Sequence, residues 1–124
     1  MDKVRLFVYG ILKSDGPLYC PERVFSVKKA KIRGWLYQLD GQFPFLDAYG
    51  DGLVYGEVHE IEEMSLYYFD KLERCYERIQ TKTLDREVVF VYHYPYINDS
   101  YKRIPYGWWN NHGRNNGWEV IKDD

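Results

Sequence analysis

Apolar and polar positions change their period several times along the chain, and each change predicts an element. Val4, Leu6 and Val8 alternate with Arg5, Phe7 and Tyr9, so both faces of this segment are largely apolar, as in a central strand. Gly10 ends it, and Lys13-Ser14-Asp15-Gly16-Pro17 is turn chemistry. Residues 18–27 fit a loop or a short helix. Lys31 to Leu39 reads as a strand interrupted at Gly34, which suggests a bulge or a close backbone approach. Asp40-Gly41 turns the chain, and Gln42-Phe43-Pro44-Phe45-Leu46 reads as an apolar loop, a kind of segment that usually lines something. After the Asp51-Gly52 turn, Val54 to Ile61 is a strand broken by Gly56.

From about Glu62 to Cys75 the period becomes helical. Met64, Tyr68, Leu72 and Cys75 recur at spacings of three and four and form the expected apolar stripe. Strand periodicity returns over Arg78 to Leu84, with Ile79, Thr81 and Thr83 on one face. After Asp85-Arg86, Val88 to Tyr94 is a strongly apolar strand that Pro95 ends. From about residue 96 a tail rich in Asn, Gly and aromatic residues shows no period. Several short strands around one helix predict an α+β fold. The interrupting glycines suggest a curled sheet or small β-barrel.

Composition narrows the picture. A chain of 124 residues has room for one core, so a single domain over 1–124 is expected. Aromatic residues make up 19%, 13 of them Tyr, which predicts large buried rings or an aromatic-lined cleft. A formal charge of −2 gives no electrostatic case for nucleic acid. No apolar run approaches a membrane span, and no secretory signal pattern opens the chain. Two cysteines, Cys20 and Cys75, are too few for a disulfide framework. The expectation is a soluble cytoplasmic protein.

Candidate chemistry centres on Glu73. On a helical wheel it falls between the apolar stripe and the charged side, next to Phe69 and Tyr76. There it is either an ordinary boundary glutamate, solvated or paired with Arg78 or Arg74, or a half-desolvated acid whose raised pKa suits proton transfer. The Tyr9-Gly10-Ile11-Leu12 loop has two readings as well: a plain strand-end turn, or a nest of N–H groups for an anion such as a carboxylate. Cys75, on the stripe, reads as a small core residue rather than a nucleophile. His59, His93 and His112 make no metal-ligand spacing, and no phosphate loop or dinucleotide fingerprint is present. Tyr106-Gly107-Trp108-Trp109-Asn110-Asn111-His112 fits a stacking platform for a sugar or peptide, or a segment packing its tryptophans onto the body; the second is preferred.

Laid out in order, these segments resemble the gamma-glutamylcyclotransferase-like family, including its gamma-glutamylamine cyclotransferase branch, over roughly residues 4 to 109. A Tyr-Gly-x-Leu loop stands as Tyr9-Gly10-Ile11-Leu12, followed by Lys13. A glycine, an apolar strand and a Gly-x-aromatic-Pro loop stand as Gly34 to Leu39 and Gly41 to Leu46. The next strand is Val54 to Ile61. A Leu-Asp-x-x-Glu signature stands as Phe69-Asp70-Lys71-Leu72-Glu73, with Tyr76-Glu77-Arg78 behind it and an Ile-x-x-Gly-x-Trp closure at Ile104 to Trp109. The third loop position, often Ser or Thr in the family, is Ile11 here; a backbone contact survives that change and a hydroxyl contact does not.

The resemblance implies a small mixed β-barrel with flanking helices and a cleft at the loop. It implies Glu73 as the catalytic residue, and Tyr9, Gly10, Ile11, Leu12, Phe43, Tyr76 and Tyr92 around a small-molecule γ-glutamyl substrate. It implies cyclisation of that substrate to 5-oxoproline with release of an amine, no cofactor and no metal, in a monomer or homodimer. A non-catalytic binding protein on the same fold, for a small molecule or peptide, is the alternative. An oligomeric structural protein, whose exposed aromatics form an interface, is a third.

Overall fold

The computed structural model describes residues 2–113. Two sheets and one α-helix make up the fold of the described residues. Strand β1 (Lys3–Val8) lies at the middle of a five-stranded sheet, between β5 (Leu53–Glu62) and β7 (Val88–His93). The edges are β2 (Val24–Arg33) beside β5 and β6 (Glu77–Lys82) beside β7. A three-stranded sheet has β3 (Trp35–Gln38) between β4 (Pro44–Asp47) and β8 (Lys102–Ile104). Helix α1 (Ser65–Leu72) follows β5, and a short 3-10 turn (Pro21–Arg23) precedes β2. No described helix is long and apolar enough to cross a membrane.

The period-two reading of β1 has a direct structural counterpart. Leu6 and Val8 join Ile61, Leu66, Phe69 and Tyr92 on the helix side. Phe7 and Tyr9 face the other way, into a larger cluster with Leu36, Leu46, Val54, Val91 and Trp109. A strand apolar on both faces can bury both only between two packed layers. The helix supplies one layer and the three-stranded sheet the other.

Several expectations need correction. The sheets do not close into a barrel: the five-stranded sheet curls until its edges meet, but the meeting is one isolated bridge, Ile32 to Thr83. Residues 31–39 are not one interrupted strand. Gly34 separates β2 from β3, which belong to different sheets, and β2 begins at Val24 inside the segment read as loop or short helix. Its positions Phe25 to Lys29 are exposed, so the apolar Phe25 and Val27 of this edge strand do not mark a buried face. Much of the apolar loop 42–46 is strand β4. The helix is shorter than 62–75, and its buried positions are Ser65, Leu66 and Phe69, not the predicted stripe. Met64 is 70% exposed and Cys75 is exposed, both outside the helix, so Cys75 is not a core residue. The aromatic tail contains β8 and packs Trp109, as preferred above, against the core; its part from residue 114 on lies outside the described residues.

Candidate active site

The inward face of α1 decides the environment of Glu73. Leu66, Phe69 and Glu73 are spaced three and four apart and share one side of the helix. Glu73 caps the C-terminus; its N–H still donates to Phe69 O at 2.8 Å, and its own carbonyl accepts from Tyr76 N–H at 2.9 Å to start the turn into β6. The side chain therefore continues the apolar face just where the helix stops. Its carboxylate forms no hydrogen bond or ion pair with the described residues, and burial pushes its pKa from the usual carboxylate range up to about 7. The nearby acid, Asp70, is engaged differently: it accepts from Tyr92 Oη at 2.7 Å and pairs with Arg78 Nε at 3.2 Å.

Opposite this helix end, the chain leaves β1 through Tyr9-Gly10-Ile11-Leu12. The Tyr9 ring is core, and its hydroxyl donates to Tyr92 O at 2.6 Å. Lys13 N–H closes a turn onto Gly10 O at 3.0 Å, and Ile11 O accepts from Leu18 N–H at 3.0 Å. The N–H groups of Gly10, Ile11 and Leu12 donate to no acceptor among the described residues. Three successive unpaired amides are what an anion nest needs.

The loop is held from outside the pocket. Ser14 donates to Glu57 through its N–H at 2.8 Å and its hydroxyl at 2.7 Å, and Glu57 also pairs with the ring of buried His59 at 2.8 Å. The Lys13 ammonium is buried, donates to Trp109 O at 2.8 Å and sits 4.9 Å from the centre of the Trp108 ring. Burial lowers its pKa, while Asp15 and Glu57 act in the opposite direction.

Between helix end and loop lies a cavity of about 340 Å³, within the range of small-ligand pockets. Glu73, Gly10, Ile11, Leu12, Tyr9, Phe43, Tyr76 and Tyr92 all line it, so the residues singled out from the sequence meet in one place. The tyrosine hydroxyls are committed elsewhere: Tyr76 Oη donates to Pro44 O at 2.8 Å, and Tyr92 Oη to Asp70. These rings shape the wall rather than offer free polar groups. Pro44 and Phe45, from the apolar segment expected to line something, also line the cavity, as do Leu18, Leu72, Arg74 and Cys75, which the sequence did not assign to it. Nor did the sequence mark the loop's supports, Glu57, Trp109 and Asn111. The one available signal was Lys13, a cation beside an apolar strand that needed acceptors. Among the described residues, no three His, Cys, Asp or Glu side chains converge as a metal site requires.

Gly10 is where the two walls touch. A Cβ there would overlap Pro44 Cγ and lie 3.1 Å from its Cδ. Gly10→Ala must therefore push apart the loop and β4, whose Pro44 carbonyl also holds Tyr76. Overpacking of this kind costs about 1–3 kcal/mol and lowers Tm by roughly 5–15 °C. A thermal melt within about 2 °C of the unsubstituted protein would show that the walls are not in contact.

A family model described as Gamma-glutamyl cyclotransferase, AIG2-like matches residues 6–111. No curated protein matches the chain. Among solved structures, protein ytfP from Escherichia coli is 29% identical with a TM-score of 0.65, covering 86% of this chain and 96% of that one. A uropathogenic E. coli-specific protein is 16% identical with a TM-score of 0.74, covering 88% of this chain and 94% of its own. An AIG2-like protein from Mus musculus is 22% identical with a TM-score of 0.52, covering 80% of this chain and 82% of its own.

Proposed function

The chain belongs to the gamma-glutamyl cyclotransferase, AIG2-like family, and from that premise we propose that it converts a γ-glutamyl amine, amino acid or peptide to 5-oxoproline and the free amine. The observation that carries this reading is the desolvated Glu73 carboxylate sharing a pocket with three loop amides that have no acceptor among the described residues. In the proposed complex the Gly10, Ile11 and Leu12 N–H groups receive the substrate α-carboxylate. Glu73 takes a proton from the α-amine. The amine nitrogen attacks the γ-carbonyl carbon, a five-membered ring closes, and the bond from that carbon to the leaving amine breaks as Glu73 returns the proton. No water is consumed. The nucleophile belongs to the substrate, so the protein supplies orientation and one proton shuttle.

The pocket mouth carries a finer expectation. Leu18, Phe43 and Leu72 line it yet remain partly exposed, Phe43 at 47%. Apolar side chains left open at a cleft favour an apolar partner. Leaving amines with an apolar body are therefore expected to be turned over faster than small polar ones.

The test is release of 5-oxoproline from a panel of γ-glutamyl compounds, followed by liquid chromatography. Release, fastest from apolar leaving groups, is the expected result. Compounds that bind and are never cyclised would overturn the enzyme and favour a binding protein on this fold.

A further inference from the structure

Asn111 lies 101 positions along the chain from Gly10 and holds its carbonyl. Asn111 Nδ2 donates to Gly10 O at 3.1 Å and to Asp15 Oδ1 at 2.9 Å. Both partners are acceptors, so the amide nitrogen, not its oxygen, must face the loop. Gly10 O receives the Lys13 N–H as well. No described peptide bond is cis, and in a planar trans peptide the carbonyl and the following N–H point in opposite directions. Pinning Gly10 O from one side therefore aims the Ile11 N–H to the other side, and hydrogen bonds at the carbonyl polarise that N–H. Gly10, Ile11 and Leu12 line the pocket; Asn111 does not.

The segment that carries Asn111 is itself fixed. Trp109 is 2% exposed and takes the Lys13 ammonium on its carbonyl, and Gly107 O receives Tyr55 N–H at 2.8 Å. We infer that Asn111 is a positioning residue: by holding the Gly10 carbonyl from behind, it orients the Ile11 N–H toward the anionic group of the ligand. The inference rests on the proposed reading in which a carboxylate occupies the loop. It makes the segment after β8 part of the binding apparatus, acting through backbone it does not share with the pocket.

Kinetics of Asn111→Ala and NMR of the Ile11 amide test it together. The variant is expected to raise KM for a γ-glutamyl substrate about three- to tenfold, the equivalent of one neutral hydrogen bond, with a much smaller change in kcat. Asp15→Ala, which removes the other acceptor of Asn111 and leaves the Gly10 bond, changes KM less than about twofold. The Ile11 amide nitrogen resonance moves upfield in Asn111→Ala, because a hydrogen bond at the carbonyl deshields the nitrogen of the same peptide. Titration with L-glutamate shifts the Ile11 amide in the unsubstituted protein and less so in the variant. An unchanged KM with an unmoved Ile11 resonance would overturn the inference while leaving cyclisation standing. Absence of 5-oxoproline from every γ-glutamyl compound, with L-glutamate still shifting Ile11 only when Asn111 is present, would overturn cyclisation and leave the positioning role standing.

Discussion

Glu73→Gln is expected to reduce 5-oxoproline formation by at least about 10²–10⁴-fold and to leave the protein folded. The substitution keeps the shape of the side chain and removes its ability to exchange a proton. Its effect on stability should run the other way from its effect on activity. Burial raises the Glu73 carboxyl from 4.5 to about 7. Between those values the folded protein holds a proton that the unfolded chain releases, so stability falls as pH rises through this window, and the loss is complete above about pH 7. The carboxylate still meets solvent at the pocket, which leaves about 1–3 kcal/mol of destabilisation at pH 8. Glu73→Gln removes it, and its denaturation midpoint should rise at pH 8 and match the unsubstituted protein near pH 4.5. For the active protein, kcat/KM should climb with pH along a limb centred near 7, where Glu73 becomes a base. Substantial turnover by the Gln variant would take Glu73 out of the mechanism. A melt that does not respond to pH in this window would show the carboxylate to be solvated.

Gly107→Ala should have the largest effect on stability. Gly107 has φ +66°, a conformation that costs an L-residue about 1–2 kcal/mol, and an added Cβ would overlap Leu53 O and lie 2.9 Å from Leu53 C. These are backbone atoms of β5 and cannot turn aside as a side chain can. Moving them breaks the Tyr55 N–H to Gly107 O bond and lifts Trp108 to Asn111 away from the loop. Together with overpacking of about 1–3 kcal/mol, the expected loss is about 2–5 kcal/mol, read from urea denaturation. Gly41→Ala separates the two causes. Its φ is +82° with nothing within 4 Å of the added Cβ, so it should lose only the conformational part. Equal losses at both positions would remove the close approach to β5 from the explanation.

Some of this architecture is visible in the order of residues. Alternation over Val4 to Tyr9 predicts a strand buried on both faces, and β1 divides its side chains between the two core clusters accordingly. The run Val88 to Tyr94 behaves in the same way in β7. The helix is a harder case. Eight residues span little more than two turns, so a stripe through Met64, Tyr68, Leu72 and Cys75 and one through Leu66, Phe69 and Glu73 fit the sequence almost equally well. Only packing against Leu6, Val8 and Ile61 selects the second. Edge strand β2, with its exposed lysines, was legible as strand only from Lys31 on, and β8, with three residues, was not legible, because neither buries a full face.

Elements with a local signal are written in the order of residues: the strand that ends at Gly10, the loop after it, the helical segment before Tyr76, and the ordered motifs that mark the family. Tertiary structure alone decided that the helix turns Glu73 inward, that its carboxylate and the Gly10, Ile11 and Leu12 amides have no partner among the described residues, and that Asn111 reaches Gly10. The reason lies in the range of the forces. Backbone preference and periodicity act over a few residues, whereas desolvation and hydrogen-bond satisfaction depend on whichever distant segments fill the surrounding space.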